Sequence, residues 1–334
     1  MKAAVFHGPE DVRFEEIDPP ALAPGDVLLR VRACGICGSD LHTYRHGLFQ
    51  QLGNPIEQGR VLGHEFSGEV VQTGGPIEGI ELGNRVTSIG MGANAEYVVI
   101  PKARIDTILP IGDNISFSEA ATTEPLATSL HAANLGQAQD EEVHLIMGAG
   151  IIGLGILQCI KARSKAKVIV ADLSEKRLAK ATELGADSVI NVRAQNIVKD
   201  LGGSSAFSEE TLLDITTGSV DTVYDCAGMS KNFEGISVLE QALAIVKDQG
   251  RVVVVAVFEQ SPKIDYNLIV RKGIQLLGSW AWSIEEFKEA ASLIRTGAIN
   301  RKPLISHTFT LEQASEAYET QLRAEEAIKV VFTP

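Results

Sequence analysis

Residues 143–153 read VHLIMGAGIIG, a short apolar run followed by glycines at 148, 150 and 153 in GxGxxG spacing. No other stretch narrows the fold so far. A wholly apolar run of this length suits a strand buried on both faces of a parallel sheet. The residues after the glycines, LGILQCI, continue as an apolar helix. Three glycines in six residues are weak evidence alone, and the context strengthens them. The motif follows a strand, opens a helix, and is followed by KVIVAD (167–172), whose last residue is Asp172. Gly148 permits a tight turn, Gly150 lets backbone approach a pyrophosphate, and Gly153 lets helix pack closely on strand.

This is the fingerprint of a dinucleotide site, with phosphates set against the N–H groups and positive dipole end of the helix. Asp172 is placed to accept hydrogen bonds from the adenine ribose. Its charge repels a 2′-phosphate, which favours NAD over NADP, and Lys176 and Arg177 temper that preference. The expected cofactor-binding set is Gly148, Gly150, Ile152, Gly153, Asp172 and Arg177. The plainer alternative is a glycine-bearing turn with an aspartate that only caps a helix.

The alternation continues. A helix is expected over 174–184, then SVIN (188–191), DTVYDCAG (221–228), another helix and RVVVVAVF (251–258). Strands and helices at this spacing predict an α/β unit, a doubly wound parallel sheet of the Rossmann kind. The first hundred residues differ. VLLRVRA (27–33), SGEVVQTGG (67–75), NRVTSIG (84–90) and AEYVVIP (95–101) are short runs broken by Gly and Pro, the texture of an antiparallel, barrel-like β domain. After about residue 273 a further strand, two amphipathic helices and IKVVFTP are expected, and periodicity does not say which domain they join.

At 334 residues there is enough chain for two cores. The 30 Lys and Arg against 43 Asp and Glu leave a charge of −13, which disfavours nucleic acid and anionic membrane surfaces as partners. No apolar run approaches the ~18–20 residues of a membrane span. Four cysteines make no disulfide framework, so the expectation is a reduced, cytoplasmic protein.

Two of those cysteines, Cys34 and Cys37, stand in CxxC spacing within ACGICGSDLH. A zinc ribbon needs a second pair, and Cys159 and Cys226 are isolated. A thioredoxin-type pair opens a helix in a small βαβ domain, whereas this pair follows a strand in the β-rich region. The remaining reading looks to VLGHEFSG, with His64 and Glu65, and to TTEPLA, with Glu124. Cys, His and carboxylate suit a catalytic zinc with one position open, and one thiolate with one carboxylate balances the ion's charge.

CGICGSDLH, then GHE, then EPLA, then GAGIIG with a later aspartate resembles the zinc-dependent medium-chain alcohol dehydrogenases, closest to the polyol branch of sorbitol and threonine dehydrogenases. The likeness runs through KPLISHTFTLEQASEAYET (302–320). It implies a GroES-like β-barrel catalytic domain over 1–124, a Rossmann NAD-binding domain over 125–273, and a segment 274–334 that returns to the first. It implies Cys37, His64, Glu65 and Glu124 as the metal set, without saying which carboxylate binds directly. It implies Ser39, His42 and Glu65 as catalytic residues, with Ser39 taking the alcohol proton and His42 passing it on. Asp40 is expected to support a ligand. The product is a ketone with NADH, the substrate a polyol, sugar or cyclitol, and the assembly a homodimer or homotetramer.

Two departures stand out. The turn that precedes a four-cysteine structural zinc lobe in many members is GNRV (83–86) here, and VTSIGMGANAEY runs on without cysteine. One catalytic zinc per chain and no structural zinc are therefore expected. Where sorbitol-type members carry a polyol-binding arginine, this chain has GSWAWS (278–283). Trp280 and Trp282 there suit either a sugar face or a subunit contact. The rival readings are a zinc-free NADPH quinone reductase of the same superfamily and a non-catalytic NAD-binding protein.

Overall fold

A strand that is apolar on both faces must lie inside a sheet, and the computed structural model places 143–147 third of six. The structure describes residues 1–47, 54–56, 59–203, 218–229 and 235–334. They form two units, Met1–Ala127 with Ser283–Pro334, and Thr128–Trp282. No helix among the described residues is long and apolar enough to cross a membrane.

The second unit is built on a parallel sheet whose strands, numbered within it, are β1 Val143–Met147, β2 Lys167–Asp172, β3 Ser188–Asn191, β4 Val220–Asp225, β5 Val246–Val254 and β6 Gln275–Gly278. Their order is β3-β2-β1-β4-β5-β6. Sequence order reverses between β1 and β4, and ligands of such sheets bind beyond the carboxyl ends at that switch point. The glycine turn after β1 is at this place. One register row, Met147–Asp225–Val254–Gly278, sets the carboxyl rim from β1 to β6.

Helices cover the sheet for reasons visible in their residues. Ile151–Arg163 is buried from Gly153 to Ile160, as an uninterrupted apolar run requires. Val238–Ile245 is capped at its start by Ser237, whose side chain accepts from Glu240 N–H. At its end the buried Lys272 donates through Nζ to the carbonyls of Leu243 and Ala244, both at 3.0 Å. Burial pushes that ammonium down to about 8. Leu145, Val223, Leu243 and Val252 lie in the core between helix and sheet. The unit runs to Trp282 rather than to 273, since Gln275–Gly278 pairs in parallel with β5 and so belongs to this sheet.

In the first unit, the strand Val27–Gly35 pairs antiparallel with Glu65–Thr73 over almost its whole length. Its other edge meets Tyr97–Ile100 along the first half and Lys329–Phe332 at Cys34 and Gly35. The C-terminal strand pairs in turn with Ile305–Phe309, a strand not anticipated in the sequence. Lys2–Gly8 and Asp11–Glu16 form an N-terminal hairpin. Leu29, Phe66 and Ile100 pack one core of the unit, and Tyr44, Tyr318 and Phe332 another.

Candidate metal centre and dinucleotide turn

The register of two strands assembles the first site. Gly35 is opposite Glu65 and Cys34 opposite Phe66. The chain leaving one strand and the chain entering the other therefore meet beyond the same end of the sheet, which brings Cys37 to His64 and Glu65. The ligand atoms of these three lie within 4.8 Å of one another. A Cβ on Gly35 would strike the Glu65 carboxylate and the Lys329 side chain, so glycine there leaves the room the cluster needs.

Cys37 is also the N-cap of a helix, Gly38–His46, so the CxxC segment does open a helix, though a short one outside any βαβ unit. A helix N-terminus favours an anion beside it. Asp40 is buried in that first turn. Its Oδ2 accepts from Cys37 N–H at 2.9 Å and its Oδ1 from Gly63 N–H at 3.4 Å. One carboxylate thus ties together the two loops that carry Cys37 and His64, and burial raises its pKa. Ser39 and His42 are half-buried on the same helix, three residues apart and so on one face.

His64 decides what the cluster can hold. Burial alone would lower its pKa, but Cys37, Asp40 and Glu124 together outweigh burial and hold it well above the usual histidine range. Among the described residues its buried Nδ1 has no hydrogen-bond partner, and Asp40 Oδ1 lies 3.8 Å away. A histidine among acidic groups, with one ring nitrogen unsatisfied, marks a place that calls for a cation. The donor set of one sulfur, one imidazole and one carboxylate fits zinc. Glu124 lies in the first turn of the helix Thr123–Gly136 and acts on His64 electrostatically. It is not part of the three-residue cluster.

Sequence reading missed Lys329. It is 1% exposed, forms an ion pair with Glu65 Oε2, and donates to the Ile36 carbonyl at 2.7 Å. Burial works against its charge, and Glu65 and Cys37 more than restore it, so its pKa is raised. The available signal was a lysine in KVVF, a strand otherwise wholly apolar and buried at all four positions.

The second site is mostly backbone. Gly148 has φ +108°, and a Cβ there would meet the Cys226–Ala227 peptide. A Cβ on Gly153 would run into the Gly148 carbonyl, and Gly150 is the N-cap of its helix. Ile152 is half-buried, its carbonyl accepting from Ser129 Oγ at 3.0 Å. Asp172 braces the turn, Oδ2 accepting from Ala149 N–H at 2.7 Å and Oδ1 from Ser174 N–H at 2.8 Å. A carboxylate offers about four lone-pair sites, so two remain for a ligand. Arg177 lies near enough to feel Asp172, although burial lowers its pKa. The structure therefore gathers Cys37, Asp40, His64, Glu65 and Glu124 in the first unit, and all six expected cofactor residues in the second.

A family model for the alcohol dehydrogenase GroES-like domain matches residues 23–112, and one for zinc-binding dehydrogenases matches 152–296. The sorbitol dehydrogenase of Bos taurus is 30% identical over 95% of this chain and 91% of its own length. Among solved structures, 2R,3R-butanediol dehydrogenase from Bacillus subtilis superposes with a TM-score of 0.80 at 27% identity, covering 100% of this chain and 99% of its own. A zinc-binding dehydrogenase from Sinorhizobium meliloti 1021, solved with NADP, gives 0.82 at 27% identity over 100% and 99%.

Proposed function

The chain belongs to the zinc-type medium-chain alcohol dehydrogenases, in the polyol branch, and on that premise we propose that it oxidises a secondary alcohol of a polyol, cyclitol or sugar to the ketone with NAD. The observation that carries this reading is the buried Cys37–His64–Glu65 cluster, whose histidine is surrounded by acidic groups.

Cys37, His64 and Glu65 would hold one zinc, with Glu124 close by to reach it directly or through water. Zinc, when bound, supplies a Lewis acid that brings an alcohol's deprotonation near neutral pH. Ser39, two residues from Cys37, takes the alcohol proton, and His42 on the same helix face passes it to solvent. NAD, when bound, accepts the hydride from the carbinol carbon. Lys329 offsets the charge of Glu65, which leaves that carboxylate a weaker donor than one without a lysine. Asp40 keeps the two ligand loops in register.

Gly148, Gly150, Ile152 and Gly153 cradle the pyrophosphate, and Asp172 with Arg177 takes the adenine ribose. Asp172 supports NAD over NADP. A homodimer or homotetramer is supported by the edge position of β6, with Leu276 on it and Val270 on the preceding helix both exposed. The low cysteine content, four in 334 residues, and the acidic charge support a cytoplasmic location.

The test is turnover of polyols, cyclitols, sugars and diols with NAD and with NADP, followed at 340 nm, before and after chelation and zinc add-back. Activity that is lost on chelation and restored by zinc, with one zinc per chain, is expected. Turnover unaffected by chelation in a metal-free chain would overturn the zinc assignment in favour of the quinone reductase reading.

A further inference from the structure

The run VTSIGMGANAEY (86–97) carries none of the cysteines of a structural zinc lobe, yet its end packs against the loop of a metal ligand. Ala93 N–H donates to the Gly63 carbonyl at 3.0 Å, and Asn94 N–H to the Leu62 carbonyl at 2.9 Å. These are the two residues that precede His64. Asn94 is fully buried, and its Nδ2 donates at 2.9 Å to Oη of Tyr318, equally buried on the helix Ala314–Leu322. Tyr318 is in turn held by the rings of Tyr44 and Phe332, with centroids at 5.0 and 6.3 Å. The amide is anchored in the core of the first unit.

The rest of that amide faces Gly63. This glycine has φ +89°, and a Cβ on it would strike Asn94 Oδ1 and the Cys34 sulfur. Gly63 is thus gripped on three sides. Asp40 Oδ1 accepts from its N–H, Ala93 N–H takes its carbonyl, and the Asn94 amide covers its Cα. Among the described residues Asn94 Oδ1 has no hydrogen-bond partner, although it is buried. Leucine would fill the same space without a bare oxygen, which is costly to bury. What the amide has and leucine lacks is an orientation fixed by Tyr318.

Resting on the zinc reading of the Cys37–His64–Glu65 cluster, we infer that Asn94 is a positioning residue for the metal: anchored by Tyr318, its amide holds Gly63 and so fixes His64 before zinc arrives. Glycine has more conformational freedom to lose than any other residue, and here it stands next to a ligand. A loop that had to be ordered by the ion would subtract that cost from the binding energy. A loop already ordered by Asn94 does not.

The test compares Asn94→Ala, Asn94→Leu and Tyr318→Phe with the unmodified protein. Zinc affinity is measured by chelator competition, and ligand geometry by the visible absorption of the cobalt-substituted protein. Asn94→Ala should weaken zinc binding about tenfold, the scale of losing a group that orients a metal ligand, and should shift the cobalt bands. Asn94→Leu restores bulk without the anchor and should recover only part of that loss. Tyr318→Phe removes the anchor alone and should give a smaller loss of the same sign; it carries the test if Asn94→Ala does not fold. In metal-free protein, amide protection at Gly63 and His64 should fall in Asn94→Ala. A role confined to packing would lower the unfolding midpoint while leaving zinc affinity, cobalt spectrum and that protection as they were, and this result would overturn the inference. So would full recovery in Asn94→Leu with Tyr318→Phe unaffected, since bulk alone would then suffice. An unmodified chain that takes up no zinc would instead break the metal-centre reading itself.

Discussion

The glycine turn draws on one stretch of chain, residues 148–177, and offers a ligand mainly backbone N–H groups. The pocket around His64 draws on residues 37, 40, 64, 65, 124 and 329 and offers side chains. Both concentrate charge, but the turn meets an anion with a helix terminus, while the pocket holds excess acidic groups for a cation. A local backbone site depends on steric room. A dispersed side-chain site depends on strand register and on each charge having its counterpart.

If the two sites are as separable as their construction suggests, each can be disabled alone. Cys37→Ser should abolish zinc binding and reduce turnover by about a thousandfold or more, the worth of several kcal/mol of Lewis-acid stabilisation. NADH affinity, followed by fluorescence titration, should be unaffected. Gly153→Ala should do the reverse, since its Cβ meets the Gly148 carbonyl: weaker NADH binding with zinc retained. Loss of zinc in Gly153→Ala, or of NADH affinity in Cys37→Ser, would break the comparison.

The dispersed site should also be the more sensitive to loss of a distant partner. Lys329→Met leaves Glu65 buried without its counter-ion, a change worth roughly 3–5 kcal/mol when one member of a buried pair is removed. Denaturant unfolding of the metal-free protein should show that loss, and saturating zinc should recover much of it by neutralising the same carboxylate. An equal deficit with and without zinc would mean that Lys329 acts through packing alone.

The same contrast explains what could be read from the sequence. The turn was legible because its parts are neighbours: an apolar run, three glycines and an aspartate at the end of the next run. His64 and Glu65 were legible as types within a resemblance, but their geometry depends on Gly35 pairing with Glu65, and register is a tertiary property. Lys329 meets Glu65 only through the pairing of the last strand with Cys34 and Gly35, which no local pattern announces. The strand Gln275–Gly278 was expected, yet its place in the parallel sheet was not, because a four-residue strand pairs as well in either unit by periodicity. Ile305–Phe309 escaped notice because its half-exposed alternation, ISHTF, resembles that of a loop.

The smallest effect separates the units by pH. His144 is fully buried at the start of β1, with Nδ1 against Tyr224 Oη at 3.2 Å and Nε2 against Glu142 at 3.1 Å. Burial dominates and lowers its pKa, even though Glu142 favours the charged form. His64 without metal is raised instead, by its acidic neighbours. The signs are opposite. A histidine held below its unfolded value makes the unfolded state the stronger proton binder, so stability falls as pH drops through about 6.5, by at most about 1.4 kcal/mol per pH unit. A histidine held above that value gives stability present in full below about 6.5 and lost as pH rises through the folded pKa. In chelated protein taken from pH 7.5 to 5.5, amide protection, corrected for the intrinsic pH dependence of exchange, should fall in β1 and β4 and rise around His64. His144→Gln should remove the first change and leave the second. Zinc reverses the first unit's response, because a proton and the metal then compete for His64 and acid releases the ion. Uniform behaviour of both units, with and without zinc, would show that the two buried histidines feel one environment and that the contrast between the sites is false.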